Sequence, residues 1–260
     1  MSNPAFHPLI LPKKDGLLTL EADSSILVSL KTLGSYLEVY SYLLSPSYNH
    51  LVYLDVSAGT GLLEIEKTGE NVFDTAMVGL TSPISFNRYI FWEPNEIYAQ
   101  ALRVRINKNF KDEHVVIIGG DMEKFLTQVK QYVPVNSRGI KPWVFCNVNP
   151  RFGSPEPEFL EGVKNLDPAV FFIISGLKKK LWKKLNSGKD TFESEARNKV
   201  KALEMWCYEN NVKLKGSFLQ IESSKMNSLH YQGLLCRKSG TSKVVSEIQK
   251  KTSNQIRLFQ

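Results

Sequence analysis

The chain has few of the residues that build disulfides, metal sites or membrane spans. Among 260 residues there are three cysteines, Cys146, Cys207 and Cys236, which are far apart and form no Cys-x-x-Cys pair, so no disulfide framework is predicted. The four histidines lack ligand spacing, and no metal site is expected. No apolar run approaches the roughly 18 residues that span a bilayer. Cys146 and Cys236 lie in apolar, strand-like runs and are predicted to be small buried side chains.

The amino-terminal sequence also lacks the marks of a targeting segment. Residues 1–11 have neither the basic start nor the long apolar core of a signal peptide, so a cytoplasmic protein without membrane association is the expectation. Hydrophobic residues make up 42% of the chain and charged residues 23%, which is ordinary for a globular protein. The length suffices for one large α/β domain.

Positive charge is concentrated in the second part of the chain. Residues 1–150 hold 13 lysines and arginines against 15 acidic residues, whereas residues 151–260 hold 20 against 11. One basic cluster contains Lys178, Lys179, Lys180, Lys183 and Lys184, with Leu181 and Trp182 between them. Such a cluster suits a phosphate backbone and a stacked base, which predicts nucleic-acid binding. The alternative is a solvated helix face whose two apolar residues point inward.

Helical and strand-like patterns alternate along most of the chain. Residues 1–24 are broken by prolines and glycine and predict an irregular arm, after which a helix capped by Ser24 or Ser25 is predicted to run to about Leu44. Five apolar runs then predict strands, at residues 51–55, 89–93, 115–120, 142–147 and 169–175. Helices are predicted over residues 95–109, 121–132 and 155–165.

This alternation predicts an α/β protein with a doubly wound, mostly parallel sheet. Two further strand patterns, at residues 214–221 and 229–237, follow each other without a helix and predict an antiparallel hairpin. Helical patterns precede and follow this hairpin, at residues 191–210 and 241–250. Five β/α units and a terminal antiparallel hairpin form the Rossmann-like, seven-stranded sheet of class I methyltransferases. Residues 1–48 are expected to pack on this core as an arm and helix, and residues 49–260 to form the α/β domain.

The first strand ends in Asp55-Val-Ser-Ala-Gly-Thr-Gly61, whose small residues let backbone approach a ligand where a side chain would clash. A dinucleotide site requires a third glycine, and this chain has Glu64 in that place, which disfavours a nicotinamide-dependent oxidoreductase. The pattern resembles the first motif of S-adenosylmethionine-dependent methyltransferases, in which a glycine usually stands at the position of Ser57. The resemblance implies that the methionine end of that cofactor binds over this turn, at Asp55, Ser57, Ala58, Gly59 and Gly61.

Ligands of such a sheet lie beyond the carboxyl ends of its strands, so the residues that close each strand are further candidates. Glu93 closes the second strand and is predicted to accept both ribose hydroxyls of the cofactor, with Trp92 and Pro94 beside the adenine ring. Alternatively, Glu93 caps the next helix with the proline in its first turn. Asp121 and Met122 close the third strand and are predicted to meet the adenine edge. Asp121 is also a strong N-cap for the following helix, and both roles can hold.

The fourth strand ends at Asn147, which is assigned to the cofactor site, and the chain continues into Asn149-Pro-Arg-Phe152. This turn is similar to the [Asp/Asn]-Pro-Pro-[Tyr/Phe] turn of amino-methyltransferases that act on adenine or cytosine, with arginine in place of the second proline. The similarity implies catalytic positions at Asn149, Pro150 and Phe152: the turn accepts hydrogen bonds from the acceptor amine, and the aromatic ring stacks on a flipped base. The alternative is a proline turn that leads to a helix capped by Ser154.

Several of these segments together resemble the family known as three-Cys-motif partner proteins. In that family a Lys…Tyr-Leu helix precedes a strand that ends in Asp-x-Phe-Ala-Gly-x-Gly, as residues 31–40 precede the glycine turn here. Its Gly-Ser-Pro, Phe-x-Glu and Asp-Pro-[Tyr/Phe]-Gly motifs correspond to residues 81–83, 91–93 and 149–153. The resemblance implies a methyltransferase-like fold.

The sequence therefore predicts an S-adenosylmethionine-dependent methyltransferase that acts on an amine of a nucleic acid or of a nucleotide-bearing substrate. The alternative hypothesis is a non-catalytic module of the same fold, which binds RNA, DNA or a partner protein. Neither hypothesis involves a metal ion or a membrane.

Overall fold

The computed structural model of the protein describes residues 14–24, 26–27, 29–31, 33–34, 37, 48–82, 85–111, 114–134, 139–140, 142–148, 170–178, 213–214, 219–222 and 228–236. From residue 170 onward the description is of the backbone. The helices predicted over residues 155–165, 191–210 and 241–250 lie outside the described residues.

The described elements alternate between strands and helices in the first part of the chain. In chain order they are β1 (Leu20–Ala22), α1 (described at residues 26–27, 29–31, 33–34 and 37), β2 (His50–Val56), β3 (Leu62–Ile65), β4 (Asn71–Phe73), α2 (Thr75–Leu80), β5 (Arg88–Trp92), α3 (Glu96–Asn109), β6 (Val115–Ile118), α4 (Met122–Val129), β7 (Pro142–Val148), β8 (Val170–Lys178), β9 (Lys213–Leu214), β10 (Leu219–Glu222) and β11 (Ser228–Cys236).

The large sheet has the strand order β10-β11-β8-β7-β2-β5-β6. Strand β2 pairs in parallel with β5 and β7, which continue in parallel to β6 and β8. Strand β11 is antiparallel to both β8 and β10. This order, with its reversed terminal hairpin, is the Rossmann-like arrangement of class I methyltransferases, and the predicted fold class is confirmed.

The element bounds follow the sequence predictions with local differences. Helix α3 confirms the helix predicted over residues 95–109, and α4 is shorter than the predicted 121–132 because the chain turns after Val129. The strand predicted over residues 214–221 is described at its two ends, as β9 and β10, which both pair antiparallel with β11; residues 215–218 lie outside the described residues. Among the described residues, no helix is both long and apolar enough to cross a bilayer.

Helices cover both faces of the large sheet. Because side chains of a strand alternate between faces, β2 directs Tyr53 to one face and Val52 and Leu54 to the other. Helices α1, α2 and α3 pack on the Tyr53 face, and α4 packs on the opposite face through Phe125 and Val129. Four described residues of α1 are buried in the core on the Tyr53 face: Ile26, Leu30, Leu33 and Leu37.

Tyr53 stands at the centre of an aromatic cluster on its face. Its ring contacts those of Phe86, Tyr89, Phe91 and Phe145, with centroid distances of 5.7 to 6.4 Å. Gly79 of helix α2 lies directly against the Tyr53 ring: a Cβ at this position would be 2.4 Å from Tyr53 Cε1. The glycine therefore allows α2 to approach the sheet closely.

A second, smaller sheet was not predicted from the sequence. Strand β1 pairs in parallel with β3, which forms an antiparallel hairpin with β4. The prediction that residues 1–24 form an irregular arm is therefore wrong for Leu20–Ala22. This three-residue strand is stabilised by hydrogen bonds to a distant partner, which leave no periodic pattern in the strand itself.

Replacing Gly79 with alanine tests the close approach of α2. Helix propensity favours alanine over glycine by about 1 kcal/mol, but overpacking against the buried Tyr53 ring costs about 1–3 kcal/mol. We expect Gly79→Ala to lower the free energy of unfolding, measured by urea denaturation. Asn107→Ala, at an exposed position of α3, is the control and should leave stability unchanged or slightly raised. A gain in stability for Gly79→Ala would contradict the packing described here.

Candidate functional site

The carboxyl ends of the central strands meet at one edge of the large sheet. The chain leaves β2 for β5 on one side and later returns to β7 on the other, so a topological switch point lies between β2 and β7. Crevices at such points are the usual ligand sites of open α/β sheets. Register pairs Asp55 with Asn147 across β2 and β7, and Val56 with Trp92 across β2 and β5. The predicted site residues of these strands are therefore neighbours.

The turn that follows β2 has an unusual backbone conformation. Ser57, Gly59 and Gly61 have φ values of 73°, 67° and 87°, in the left-handed region that glycine adopts without steric cost. The amides of Ser57 and Ala58 both donate to the Trp92 carbonyl oxygen, at 2.9 Å each. Ser57 thus adopts the conformation expected for the glycine that usually occupies its place in the methyltransferase motif.

Asp55 is fully buried at the end of β2 and is hydrogen-bonded from two sides. Asn147 Nδ2 donates to Asp55 Oδ1 at 2.8 Å. The Tyr53 hydroxyl shares its proton between Asp55 Oδ2 at 3.3 Å and the Thr75 carbonyl oxygen at 3.1 Å. The other polar atom of this amide, Asn147 Oδ1, is buried without a hydrogen-bond partner in the part of the chain that the structure describes. This end of the sheet is therefore rich in hydrogen-bond acceptors.

Burial and the negative charge of Asp55 change the ionisation of its neighbours. Both raise the pKa of Tyr53 well above its ordinary value, with burial the larger cause, so the hydroxyl remains a donor. The same two causes raise the pKa of Cys146, which is buried as predicted. This thiol therefore stays protonated and is not a nucleophile. Cys236 lies in β11, where the description is of the backbone.

Glu93 joins the glycine turn to the beginning of helix α3. Its side chain is buried, and Glu93 Oε2 accepts from the Gly59 amide at 2.7 Å while Oε1 accepts from the Asn95 amide at 3.0 Å. The alternative that Glu93 caps α3 is wrong. Asn95 is the N-cap, because its side chain accepts from the amides of Ile97 and Tyr98, and Pro94 precedes the cap.

The third strand end is held by the indole of Trp92. Trp92 Nε1 donates to the Gly120 carbonyl oxygen at 2.9 Å, and the indole stacks on Phe125 with ring centroids 5.0 Å apart. Gly120 has a φ of 91°. Asp121 is the N-cap of α4, as one of its two predicted roles requires, since its Oδ1 accepts from the Lys124 amide. Met122 begins the helix.

All the predicted cofactor residues belong to the described part of the chain, whereas the predicted catalytic residues and most of the basic cluster do not. Asn149, Pro150 and Phe152 lie outside the described residues, as do Lys179, Lys180, Lys183 and Lys184. Lys178 is the last residue of β8, so the basic cluster begins in a strand, and the helix-face alternative is wrong for Lys178.

Two residues of this site were missed by the sequence analysis. Tyr53 is two residues before Asp55, and the alternation of a strand places both on the same face, so the contact could have been predicted. Asn95 follows Glu-Pro and precedes a helical pattern, which is the usual signature of an N-cap.

Comparison with known proteins gives the chain no family. No family model matches it, and no curated protein matches it. Similar solved structures include an O-methyltransferase from Bacillus cereus in complex with SAH, at 14% identity over 88% of this chain and 94% of that chain, with a TM-score of 0.49. A human methyltransferase 10 domain containing protein has 11% identity over 79% and 81%, with a TM-score of 0.46. A SAM dependent methyltransferase from Aquifex aeolicus has 13% identity over 80% and 97%, with a TM-score of 0.39.

With identities this low and TM-scores below 0.5, the fold is assigned from the strand order of the chain itself. Membership of the three-Cys-motif partner family stays a prediction.

The backbone of Ser57 provides a test of the turn. A residue with a Cβ in the left-handed region costs about 1–2 kcal/mol, whereas glycine costs about 0.5–1 kcal/mol of backbone entropy. We expect Ser57→Gly to keep or slightly raise the free energy of unfolding, and the β-branched variant Ser57→Val to lower it by more than 1 kcal/mol. Thermal and urea unfolding measure both, and equal stability of the two variants would argue against the positive φ.

Proposed function

We propose that the protein is an S-adenosylmethionine-dependent methyltransferase whose cofactor lies over residues 57–61 and across the carboxyl ends of β2, β5 and β6. The observation that carries the proposal is a pair of buried carboxylates, Asp55 and Glu93, on either side of a turn in the left-handed backbone conformation. Both carboxylates are hydrogen-bonded, and buried ionisable groups held in fixed positions at a ligand-binding edge are candidates for a functional site.

The acceptor-rich end of β2 suits the methionine end of this cofactor. Tyr53 and Asn147, which donate to Asp55, are both neutral, and the buried Asn147 Oδ1 has no partner among the described residues. An unsatisfied buried acceptor costs about 1–3 kcal/mol. An α-ammonium group brings three N–H donors and a positive charge, and it matches both the carboxylate and the amide oxygen. Asp55 and Asn147 would therefore hold this group, above the backbone of Ser57, Ala58, Gly59 and Gly61.

Glu93 suits the ribose of the same cofactor. Its carboxylate oxygens accept the backbone amides of Gly59 and Asn95, which fix the orientation of the carboxylate. The two neighbouring hydroxyls of a ribose are donors that a carboxylate can accept side by side. Because the same carboxylate fixes the glycine turn, ribose recognition and turn geometry would depend on one residue.

The turn between β6 and α4 suits the adenine ring. Trp92 fixes this turn through Gly120, and Asp121 uses Oδ1 to cap α4. The second carboxylate oxygen of Asp121 is the group that would accept from the adenine amino group, and the Met122 amide would donate to the ring. Pro94, which is exposed beside Glu93, would contact the ring from the other side.

S-adenosylmethionine supplies an electrophilic methyl group on a sulfonium. The chain then has to hold an acceptor amine in line with that methyl group, and rate arises from this positioning without a nucleophilic side chain. The protonated thiol of Cys146 agrees with such a mechanism. For the acceptor we propose that Asn149 and Pro150, which follow β7 in the chain, accept hydrogen bonds from its amine. Phe152 would stack on its base.

A nucleic acid or nucleotide-bearing substrate is the acceptor class that the charge distribution favours. Residues 151–260 carry a net charge of +9, and the basic cluster Lys178–Lys184 contains an aromatic residue. Lysines close to a stacking residue suit phosphate and base together. The second candidate is a module that binds nucleic acid or a partner protein without methyl transfer. Arg151 stands where the similar turn of amino-methyltransferases has its second proline, and this difference favours the second candidate.

The cofactor is tested by calorimetric titration with S-adenosylmethionine and S-adenosylhomocysteine. We expect micromolar binding by the native chain. Asp55→Asn and Glu93→Gln should each weaken it by about 1–3 kcal/mol, the range for a hydrogen bond to a charged group. Glu70→Gln, at an exposed position before β4, is the matched control and should bind like the native chain. Undiminished affinity in both site variants, with intact fold, would remove the assignment.

The acceptor is tested by transfer of a labelled methyl group to transfer RNA and to DNA. We expect incorporation that falls by at least tenfold in Asn149→Ala, because the amine loses an orienting acceptor, while cofactor affinity stays within twofold. A variant with all five lysines of the cluster changed to glutamine should raise the KM for nucleic acid. Cofactor binding without transfer to either nucleic acid would favour the non-catalytic module.

A further inference from the structure

One buried arginine connects the N-terminal arm to the glycine turn. Arg105 belongs to helix α3, and only 2% of its side chain is exposed. Its Nη1 donates to the Thr60 carbonyl oxygen at 2.6 Å and to the Leu18 carbonyl oxygen at 2.8 Å. Its Nε and Nη2 hold the two carboxylate oxygens of Asp15, at 2.8 and 2.9 Å, and Nη2 also donates to the Leu17 carbonyl oxygen at 3.3 Å.

These contacts use all the hydrogen-bonding capacity of the guanidinium. A guanidinium has five N–H donors, and the five acceptors here are two carboxylate oxygens and three main-chain carbonyls. Four of them belong to the arm, at Asp15, Leu17 and Leu18, and the fifth is Thr60. Without the arm, a buried charge would lose four of its five partners, which is strongly unfavourable. Arg105 can therefore hold Thr60 in this position only while the arm is docked.

The charge pair is effective over the ordinary pH range. The hydrogen bond from Arg105 lowers the pKa of Asp15 below its ordinary value of 3.8. A carboxyl whose folded pKa is depressed stabilises the folded state above the unfolded pKa and loses that contribution as the pH falls through the folded pKa. At neutral pH the arm is thus held by an ionised Asp15.

The arm also contacts the chain that leaves the glycine turn. Strand β3 begins directly after Gly61 and pairs with β1 of the arm, with Leu20 opposite Leu63. The Asp74 amide donates to the Gly61 carbonyl oxygen at 2.9 Å. The beginning of the turn is held by Trp92 and Glu93, and its end is held by Arg105, β1 and Asp74. The arm is thus one of the supports of the turn.

We infer that residues 15–22 are a positioning element of the cofactor site, in which docking of Asp15 on Arg105 fixes the Thr60 carbonyl and with it the end of the glycine turn. The inference rests on the proposed cofactor. Asp15 and Arg105 do not touch the cofactor; they act through the turn. Because coupling between two binding events is reciprocal, the cofactor in turn holds the arm in place.

The variant Asp15→Asn tests the coupling in the full chain. It keeps the size of the side chain but removes the charge that Arg105 binds. We expect its affinity for S-adenosylhomocysteine to fall by about 5- to 50-fold, within the usual range of coupling between sites. Lys14→Gln is the matched control: it removes the neighbouring but exposed ion pair to Glu64, which is worth little, and should stay within twofold of the native chain.

Hydrogen exchange followed by mass spectrometry measures how far the cofactor slows exchange in the arm. A purely structural role of Asp15 would leave this slowing unchanged. Without cofactor, amides of residues 17–22 and 57–61 should exchange faster in Asp15→Asn than in the native chain, while core amides of β2 remain unchanged. Adding S-adenosylhomocysteine should slow exchange in the native arm by several-fold. In Asp15→Asn the same addition should slow it less, at cofactor concentrations that give equal occupancy.

The outcomes separate the inference from the proposed function. Faster exchange of the arm in Asp15→Asn with unchanged cofactor affinity would overturn the inference and leave the methyltransferase assignment standing. Unchanged exchange of the arm would also overturn it, since Asp15 would then not dock the arm. Absence of cofactor binding by the native chain would overturn the proposed function and the inference with it.

Discussion

A buried carboxylate just ahead of helix α3 and a buried guanidinium in its second half determine the conformation of the glycine turn. Glu93 lies just ahead of the helix and binds the Gly59 amide, and Arg105 lies in its second half and binds the Thr60 carbonyl. Two peptide groups of one turn, with a single peptide group between them, are thus held by opposite charges: the carboxylate binds an N–H group and the guanidinium binds a C=O group. The buried charges and the turn satisfy one another, because each would carry an unpaired polar group without the other.

This arrangement explains how a serine can occupy a glycine conformation. Ser57 has a φ of 73°, which is unfavourable for a residue with a Cβ, and such conformations persist only where the surroundings over-determine them. Here the amides of Ser57 and Ala58 converge on one carbonyl oxygen of β5, and the Gly59 amide is bound by Glu93. The departure of Ser57 from the usual methyltransferase motif therefore leaves the path of the backbone intact.

The sheet and its carboxylates could be predicted because they depend on local features of the sequence. Each central strand is an apolar run, and Asp55 and Glu93 are the polar residues that follow two of those runs. The small sheet could not be predicted, because β1 has three residues and its partner β3 lies more than 40 residues further along the chain. A strand of that length has no period to detect.

The role of Arg105 could not be predicted from the sequence either. Arg103 and Arg105 are two residues apart on the same helix, and the sequence gives no reason to distinguish them. Arg103 pairs with the exposed Glu96 about two turns earlier in the same helix, whereas Arg105 is 2% exposed and binds Asp15, 90 residues away along the chain. Charged side chains are nearly always assigned to the surface, since isolated charges are costly to bury. Only the three-dimensional position of the arm reveals the exception.

The hairpin after the glycine turn bears on the chemistry of the ligand. In dinucleotide-binding folds the glycine turn opens directly into a helix, whose N-terminal amides bind the pyrophosphate. In this chain β3 begins at Leu62, directly after Gly61, and the next helix, α2, begins only at Thr75. The turn therefore does not open directly into a helix, and a pyrophosphate would lack the arrangement that binds it in dinucleotide-binding folds. A glycine turn followed by a hairpin suits a cofactor without phosphate better than a nicotinamide dinucleotide. The amino-acid end of such a cofactor would place its ammonium group beside Asp55 and Asn147.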